Sequence, residues 1–151
     1  MISATRLGEG DIAGFRTMNA IFSEVFGEPE NYSEKPPGDA YARSWLADPD
    51  KLAVLGFVDG EPGGALAGYV LRKFEQERAE AYIYDLAVCE AQRRKGLATA
   101  MIEEVRRIAR MSGAWTVFVQ ADTIPEDEPA RALYRKLANE EMTALHFDIA
   151  P

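Results

Sequence analysis

The chain has 151 residues, 47% of them apolar and 28% charged, which suits one folded domain and excludes wholesale disorder. No apolar run approaches the ~18 residues of a membrane span, the N-terminus lacks the basic-then-apolar layout of a secretory signal, and a lone Cys89 cannot form an internal disulfide. A net charge of -8 argues against a nucleic-acid partner, no Cys/His cluster has zinc spacing, and the expectation is a single cytoplasmic, metal-free domain over residues 1–151.

Residues 11–26 place Ile12, Phe15, Met18, Phe22 and Val25 at three- and four-residue intervals, which predicts an amphipathic helix ending at Glu28-Pro29. The stretch through Pro36-Pro37-Gly38 reads as loop. Asp39 stands where it would cap a second helix carrying Tyr41, Trp45 and Leu46. The period then becomes that of strands. Apolar runs at 52–58 and 65–74 are joined by Asp59-Gly60-Glu61-Pro62-Gly63-Gly64, a hairpin signature, and a third strand at 80–88 follows. Residues 97–111 return to helical spacing, with Leu97, Met101, Val105 and Ile108 on one face and Gly113 closing the helix. A short strand is predicted at 115–121, and Pro129 suits the first turn of a helix reaching Leu137. Leu145, Phe147 and Ile149 alternate with His146 and Asp148, as a final strand would. The order predicts an α/β (or α+β) domain, an antiparallel meander followed by a βαβ unit.

Charge is unevenly distributed. Residues 93–110 hold six cations against Glu103 and Glu104, so the rest of the chain is strongly acidic and suits a cationic partner. Within the basic stretch, Arg93-Arg94-Lys95-Gly96-Leu97-Ala98 opens the predicted helix. Glycine there lets backbone N–H groups approach a ligand closely, and a helix N-terminus favours an anion such as pyrophosphate. Neither a P-loop nor a G-x-G-x-x-G fingerprint is present.

Tyr82-Ile83-Tyr84-Asp85-Leu86-Ala87-Val88 followed by Arg93-x-x-Gly96-x-Ala98 resembles the acetyl-CoA motif of the GCN5-related N-acetyltransferases, and Ala130-x-x-Leu133-Tyr134 resembles their second signature. Four blocks, Tyr69-Val70-Leu71-x-Lys73-Phe74-Glu75-Gln76, Ile83 to Val88, Val119-Gln120-Ala121-Asp122 and His146-Phe147-Asp148-Ile149, are similar to the aminoglycoside 3-N-acetyltransferases of the gentamicin-resistance type. The resemblance implies a twisted mixed sheet with helices on both faces and splayed central strands. It implies acetyl-CoA as the cofactor, with Leu86, Ala87 and Val88 along the pantetheine. Arg93, Arg94, Lys95, Gly96, Leu97, Ala98 and Thr99 would then surround the pyrophosphate. Asp127 falls where the family has an Asn touching pantetheine. The implied reaction is direct transfer of acetyl to an aminoglycoside amine in a ternary complex, with Tyr134 protonating the departing thiolate. A homodimer is also implied.

Asp85 interrupts an apolar strand, and carboxylates are rarely buried without a partner. With adjacent Tyr84 it is expected at the amine site, as general base or as the carboxylate that orients the amine. Asp85 and Leu86 should face opposite sides unless a bulge intervenes. Further acids expected to meet the polycation are Asp122, Glu126, Asp127 and Glu128, with Glu24, Glu28 and Glu30 in the helix-loop that lids the substrate in this family, and Asp148. Glu80 is a fallback base, His146 reads as a structural hydrogen-bonder, and Cys89 lacks the neighbours of a nucleophile. The sequence departs from the family in lacking a glycine after Leu137, where Asn139 is expected to take a left-handed helix cap, and in a longer loop at 123–128. Two alternatives keep the fold: an acceptor that is a protein lysine, an N-terminus or a polyamine, and a non-enzymatic acyl-CoA-binding module.

Overall fold

A strand that hydrophobic periodicity does not reveal opens the chain. β1 (Ile2–Arg6) has the sequence Ile-Ser-Ala-Thr-Arg, too short and too polar to announce itself, and it becomes a strand by pairing antiparallel with β2 (Lys51–Val58). In the computed structural model, which describes all residues from Met1 to Pro151, α1 (Ile12–Phe26) follows and ends at Gly27, whose φ of 65° is a left-handed cap. A short helix, α2 (Pro29–Tyr32), occupies part of the segment expected to be loop, with proline in its first turn. Asp39 is the first residue of α3 (Asp39–Ala47) and not its cap, which is Gly38; its carboxylate accepts a hydrogen bond from Arg16 at 2.8 Å.

β2 and β3 (Glu61–Arg72) are joined by the two residues Asp59 and Gly60, with φ of 52° and 86°. Positive φ at both central positions is what a tight hairpin following the natural twist requires, so β3 starts before the expected 65–74. β4 (Ala79–Val88) pairs antiparallel with β3, α4 (Leu97–Met111) crosses over, and β5 (Ala114–Val119) completes a five-stranded sheet in the order β1-β2-β3-β4-β5. The fold is the mixed α/β sheet that the order of elements predicts.

Alternation sorts the sheet into two faces. Ala53, Leu55, Ala65 and Ala87 pack with Met18, Ile21 and Phe22 of α1 and Leu46 of α3. On the other face a Cβ at Gly56 would lie 2.7 Å from Leu97 Cδ1, and one at Gly64 would lie 2.7 Å from Met101 Cε. Side chains would not fit there, so these glycines bring α4 close over the strands. Leu97, Met101 and Val105 are fully buried with Leu52, Val54 and Leu66. No helix is long and apolar enough to cross a membrane.

The chain divides into two compact units, Met1–Phe118 and Val119–Pro151. The second contains a 3-10 turn at Pro125–Asp127 and α5 (Glu128–Leu137). Arg131 organises the long loop at 123–128: its guanidinium donates to the Asp122 carbonyl, to the Ile124 carbonyl at 2.8 Å and to Glu128 at 2.7 Å. α5 ends with Ala138 in an extended conformation (φ -76°, ψ 145°), and Asn139 does not adopt a left-handed cap. The expected final strand at 145–149 does not form. Leu145, Phe147 and Ile149 are exposed in a segment without regular structure, because alternation specifies a strand only where another strand accepts its hydrogen bonds.

Candidate active site

The register between β3 and β4 shifts once. Gly68 pairs with Ile83, whereas Ala67 pairs with Asp85, so Tyr84 is the extra residue of a β-bulge. A bulge reverses the alternation. Ile83, paired with Gly68, shares the α4 face with Leu66, whereas Asp85, paired with Ala67, turns to the α1 face. A Cβ at Gly68 would stand 2.2 Å from the Tyr82 carbonyl oxygen, so the bulge requires glycine in the facing strand. The backbone thus delivers one carboxylate into an otherwise apolar layer.

There Asp85 lines a cavity of about 120 Å3 with Phe15, Met18, Asn19, Phe22, Tyr32, Trp45 and Ala67. The Tyr32 hydroxyl donates to Asp85 Oδ2 at 2.9 Å. Burial pushes the Asp85 carboxyl above the usual range, the Tyr32 bond opposes this, and the charge of Glu28 adds to it. Burial and the Asp85 charge push the Tyr32 phenol far up, so it remains a donor at any working pH. Asn19 Nδ2 is buried without a protein partner. A wall of rings borders the carboxylate: Tyr84, 60% exposed, meets Tyr69 edge-on at 5.8 Å and Tyr82 at 5.7 Å, and Tyr69 meets Trp45 at 6.1 Å. Trp45 and Tyr69 also line a second, larger hollow of about 290 Å3 with Tyr41, Ser44, Asp48 and Lys51.

Of the residues expected at the amine site, Tyr84, Asp85 and Glu28 do come together. Glu28 accepts a hydrogen bond from Asn31 at 3.0 Å and faces Tyr32 and Asp85. Glu80 is engaged elsewhere, 3.6 Å from Lys73. Burial raises the Cys89 thiol away from its reactive form. Asp122, Asp127, Glu128 and Tyr134 lie in the second unit. Asp127 Oδ2 accepts from the Asp122 N–H at 3.1 Å, so this carboxylate is spent on the loop. Burial, and secondarily Asp127, holds the Tyr134 phenol above its ordinary value and keeps it protonated. Asp148 pairs with His146 at 2.8 Å in the irregular C-terminal segment, not in a strand.

The start of α4 has the form of an anion cradle. Arg94 and Gly96 both have left-handed backbones (φ 61° and 88°), no side chain caps the helix, and space around Gly96 is open to 4 Å from where a Cβ would stand. Such a turn points consecutive N–H groups outward. Lys95 is tied to Gln92 at 2.9 Å and Arg93 donates to the Val88 carbonyl at 3.3 Å, which orders the loop. The Cys89 N–H bonds the Gly63 carbonyl on β3, so by antiparallel alternation the Leu86 and Val88 backbone groups point away from β3. Extended polar backbone leading to an anion cradle fits a pantetheine pyrophosphate, so these residues suit coenzyme A.

An antiparallel meander, an α4 crossover opening in a left-handed glycine turn and a half-buried carboxylate on the adjoining strand are arranged as an acyl-transfer enzyme would need them. The chain belongs to the acetyltransferase (GNAT) family, whose model matches residues 15–138, and the protein is an acetyltransferase of that type. No curated protein matches it. Among solved structures it is similar to an aminoglycoside acetyltransferase from an uncultured soil metagenomic sample, at 46% identity and TM-score 0.95 over 100% of this chain and 99% of that one. A second aminoglycoside acetyltransferase from such a sample, solved with sisomicin, is 26% identical with TM-score 0.82, covering 99% and 97%. Aminoglycoside N-acetyltransferase AAC(6')-Iy, solved with CoA, shares the fold at 16% identity and TM-score 0.76, covering 99% and 95%.

Sequence reasoning missed Tyr32 and Asn19. Tyr32 lies in a segment read as loop, and Asn19 is one polar residue among the apolar positions of α1. The one available signal was that Asp85, if buried, demands a donor.

Proposed function

We propose that the protein acetylates an amino group of aminoglycosides, the 3-amino group by its resemblance to the gentamicin-resistance type, using acetyl-CoA in a ternary complex. The observation that carries this reading is the bulge that turns Asp85 into a ring-lined cavity, in a chain 46% identical to an aminoglycoside acetyltransferase. The aromatic wall suits the C–H faces of sugar rings, and Asp85 with Glu28 suits ammonium groups. The bound thioester supplies the acetyl group, with coenzyme A leaving as the thiol. Asp85 accepts the ammonium proton, directly or through water, and its raised proton affinity suits it to do so. Tyr134 stays protonated and donates a hydrogen bond to the sulfur as charge develops there; because the thiol's ordinary pKa of ~8.5 lies below the raised phenol, the full transfer is uphill and is completed as the phenolate is reprotonated from solvent. Leu86, Ala87 and Val88 line the pantetheine, and the N–H groups from Arg94 to Thr99 hold the pyrophosphate, with Arg93 bracing the turn. Loss of one ammonium charge weakens the drug's hold on ribosomal RNA, the basis of resistance. The active form is a homodimer, to be checked by sedimentation.

The test is thiol release from acetyl-CoA with gentamicin, spermidine, polylysine or no acceptor. Gentamicin is expected to be preferred by orders of magnitude, and product NMR reads the acetylated position. Preference for polylysine or spermidine replaces the acceptor, and no turnover with any amine leaves a binding module. Tyr134→Phe should lower turnover less than Asp85→Asn, and less still with an acyl donor bearing a better leaving thiol. A Tyr134→Phe loss indifferent to the leaving group removes Tyr134 as proton donor.

A further inference from the structure

Asp85 owes its face to the bulge, but the bulge does not hold its carboxylate still. We propose that Tyr32, carried on α2, is a positioning residue that fixes the orientation of the Asp85 carboxylate and keeps it a competent proton acceptor. The inference rests on the reading of Asp85 as the base. The two residues are 53 positions apart and meet only through the tertiary fold, at 2.9 Å.

Tyr32 is held independently of Asp85. Its ring packs 5.5 Å from that of Phe22 and 5.7 Å from that of Phe26, its N–H bonds the Glu28 carbonyl at 3.2 Å, and Ser33 Oγ lies 2.9 Å from Ser23 Oγ on α1. The hydroxyl is therefore presented at a set place, and the carboxylate must rotate to meet it.

The electrostatic surroundings make this bond matter. From α1 and α3 the cavity presents Phe15, Met18, Asn19, Phe22 and Trp45, none of them charged. From the sheet come Tyr69, Tyr82 and Tyr84, of which burial pushes Tyr69 and Tyr82 further from ionisation. From the start of α2 comes Glu28, whose charge opposes ionisation of Asp85. Burial and Glu28 thus both favour the protonated, inert acid, and Tyr32 is the group that opposes them. Two residues at either end of this short helix act in opposite senses: Tyr32 on α2 favours the carboxylate, and Glu28, just before the helix, disfavours it until a cationic amine offsets the charge.

The experiment uses the full chain, labelled with 13C at aspartate carboxyls, with Asp85→Asn identifying the Asp85 signal. Tyr32→Phe keeps the ring and its packing and removes the donor. The Asp85 titration is expected to move up by about one pH unit, the scale for a hydrogen bond to a charged group. The acidic limb of kcat/KM should follow it, with about tenfold loss below that limb and an unchanged KM for acetyl-CoA. A limb belonging to the substrate amine does not move with the variant. Glu28→Gln should shift the titration the opposite way. An unshifted titration in Tyr32→Phe beside an inactive Asp85→Asn overturns this proposal alone. Wild-type turnover in Asp85→Asn overturns the base assignment and this inference with it.

Discussion

Gly68→Ala tests whether the β4 bulge sets the chemistry. The new methyl carbon would stand 2.2 Å from the Tyr82 carbonyl oxygen, 3.2 Å from its carbon and 3.3 Å from Ile83 Cα. A carbon–oxygen contact needs about 3.3 Å, so the strands must part by about 1 Å or the bulge must reshape. The obstacle is backbone on both sides, which places the cost at the upper end of overpacking, about 3 kcal/mol. For a chain of this size that lowers Tm by about 6–12 °C. Urea unfolding at constant m, with Gly10→Ala as control because nothing lies within 4 Å of a Cβ there, measures the cost. The reshaped bulge also displaces Asp85, so kcat should fall by more than acetyl-CoA affinity changes. A Gly68→Ala protein with the urea midpoint and turnover of the parent would refute the account of how Asp85 reaches its face.

Four further outcomes are expected. Gly96→Glu puts bulk, negative charge and strain at a φ of 88° in the α4 cradle, so acetyl-CoA affinity by calorimetry should collapse while circular dichroism stays native; unchanged affinity removes the cradle. Asp85→Asn should cut turnover ~10²–10⁴-fold, less at high pH where more acceptor amine is neutral, and a loss equal at every pH would make Asp85 an orienting group. The same variant should be slightly more stable than the parent at neutral pH. The folded carboxyl holds its proton above the unfolded pKa, so ionisation erodes stability as pH rises through the folded pKa, and the gain should vanish in acid; after solvent screening it stays below about 1 kcal/mol, and a destabilised variant at neutral pH contradicts the direction of the shift. Raising salt should increase the KM of the drug far more than that of acetyl-CoA, and Asp122→Asn should flatten the trend without disturbing the loop, because Asp122 holds it through its backbone. A salt-insensitive KM assigns the acids to solubility.

Hydrophobic period and turn chemistry determined much of this protein locally. Leu97 to Met111 was legible as a helix because its apolar face repeats at helical spacing, and the Asp59-Gly60 turn because few residue pairs accept two positive φ values. The turn before α4 was legible for the same reason: Gly96 stands next to the helix it opens. Asp85 could be singled out by its chemistry, but not its direction. That depended on a register shift between β3 and β4, which no local pattern encodes, since a bulge is a relation between two strands. β1 and the irregular C-terminal segment differ from expectation for a related reason. Ile2–Arg6 is a strand because β2 accepts its hydrogen bonds, whereas Leu145, Phe147 and Ile149 alternate as a strand should and remain exposed. Tyr32 belongs to the same class, invisible in a segment of prolines and glutamates and decisive only where folding sets its hydroxyl against a buried carboxylate. Sequence determines what each residue can do along its own element, and tertiary structure decides which partner completes it, because a hydrogen bond between distant elements exists only after the chain has brought them together.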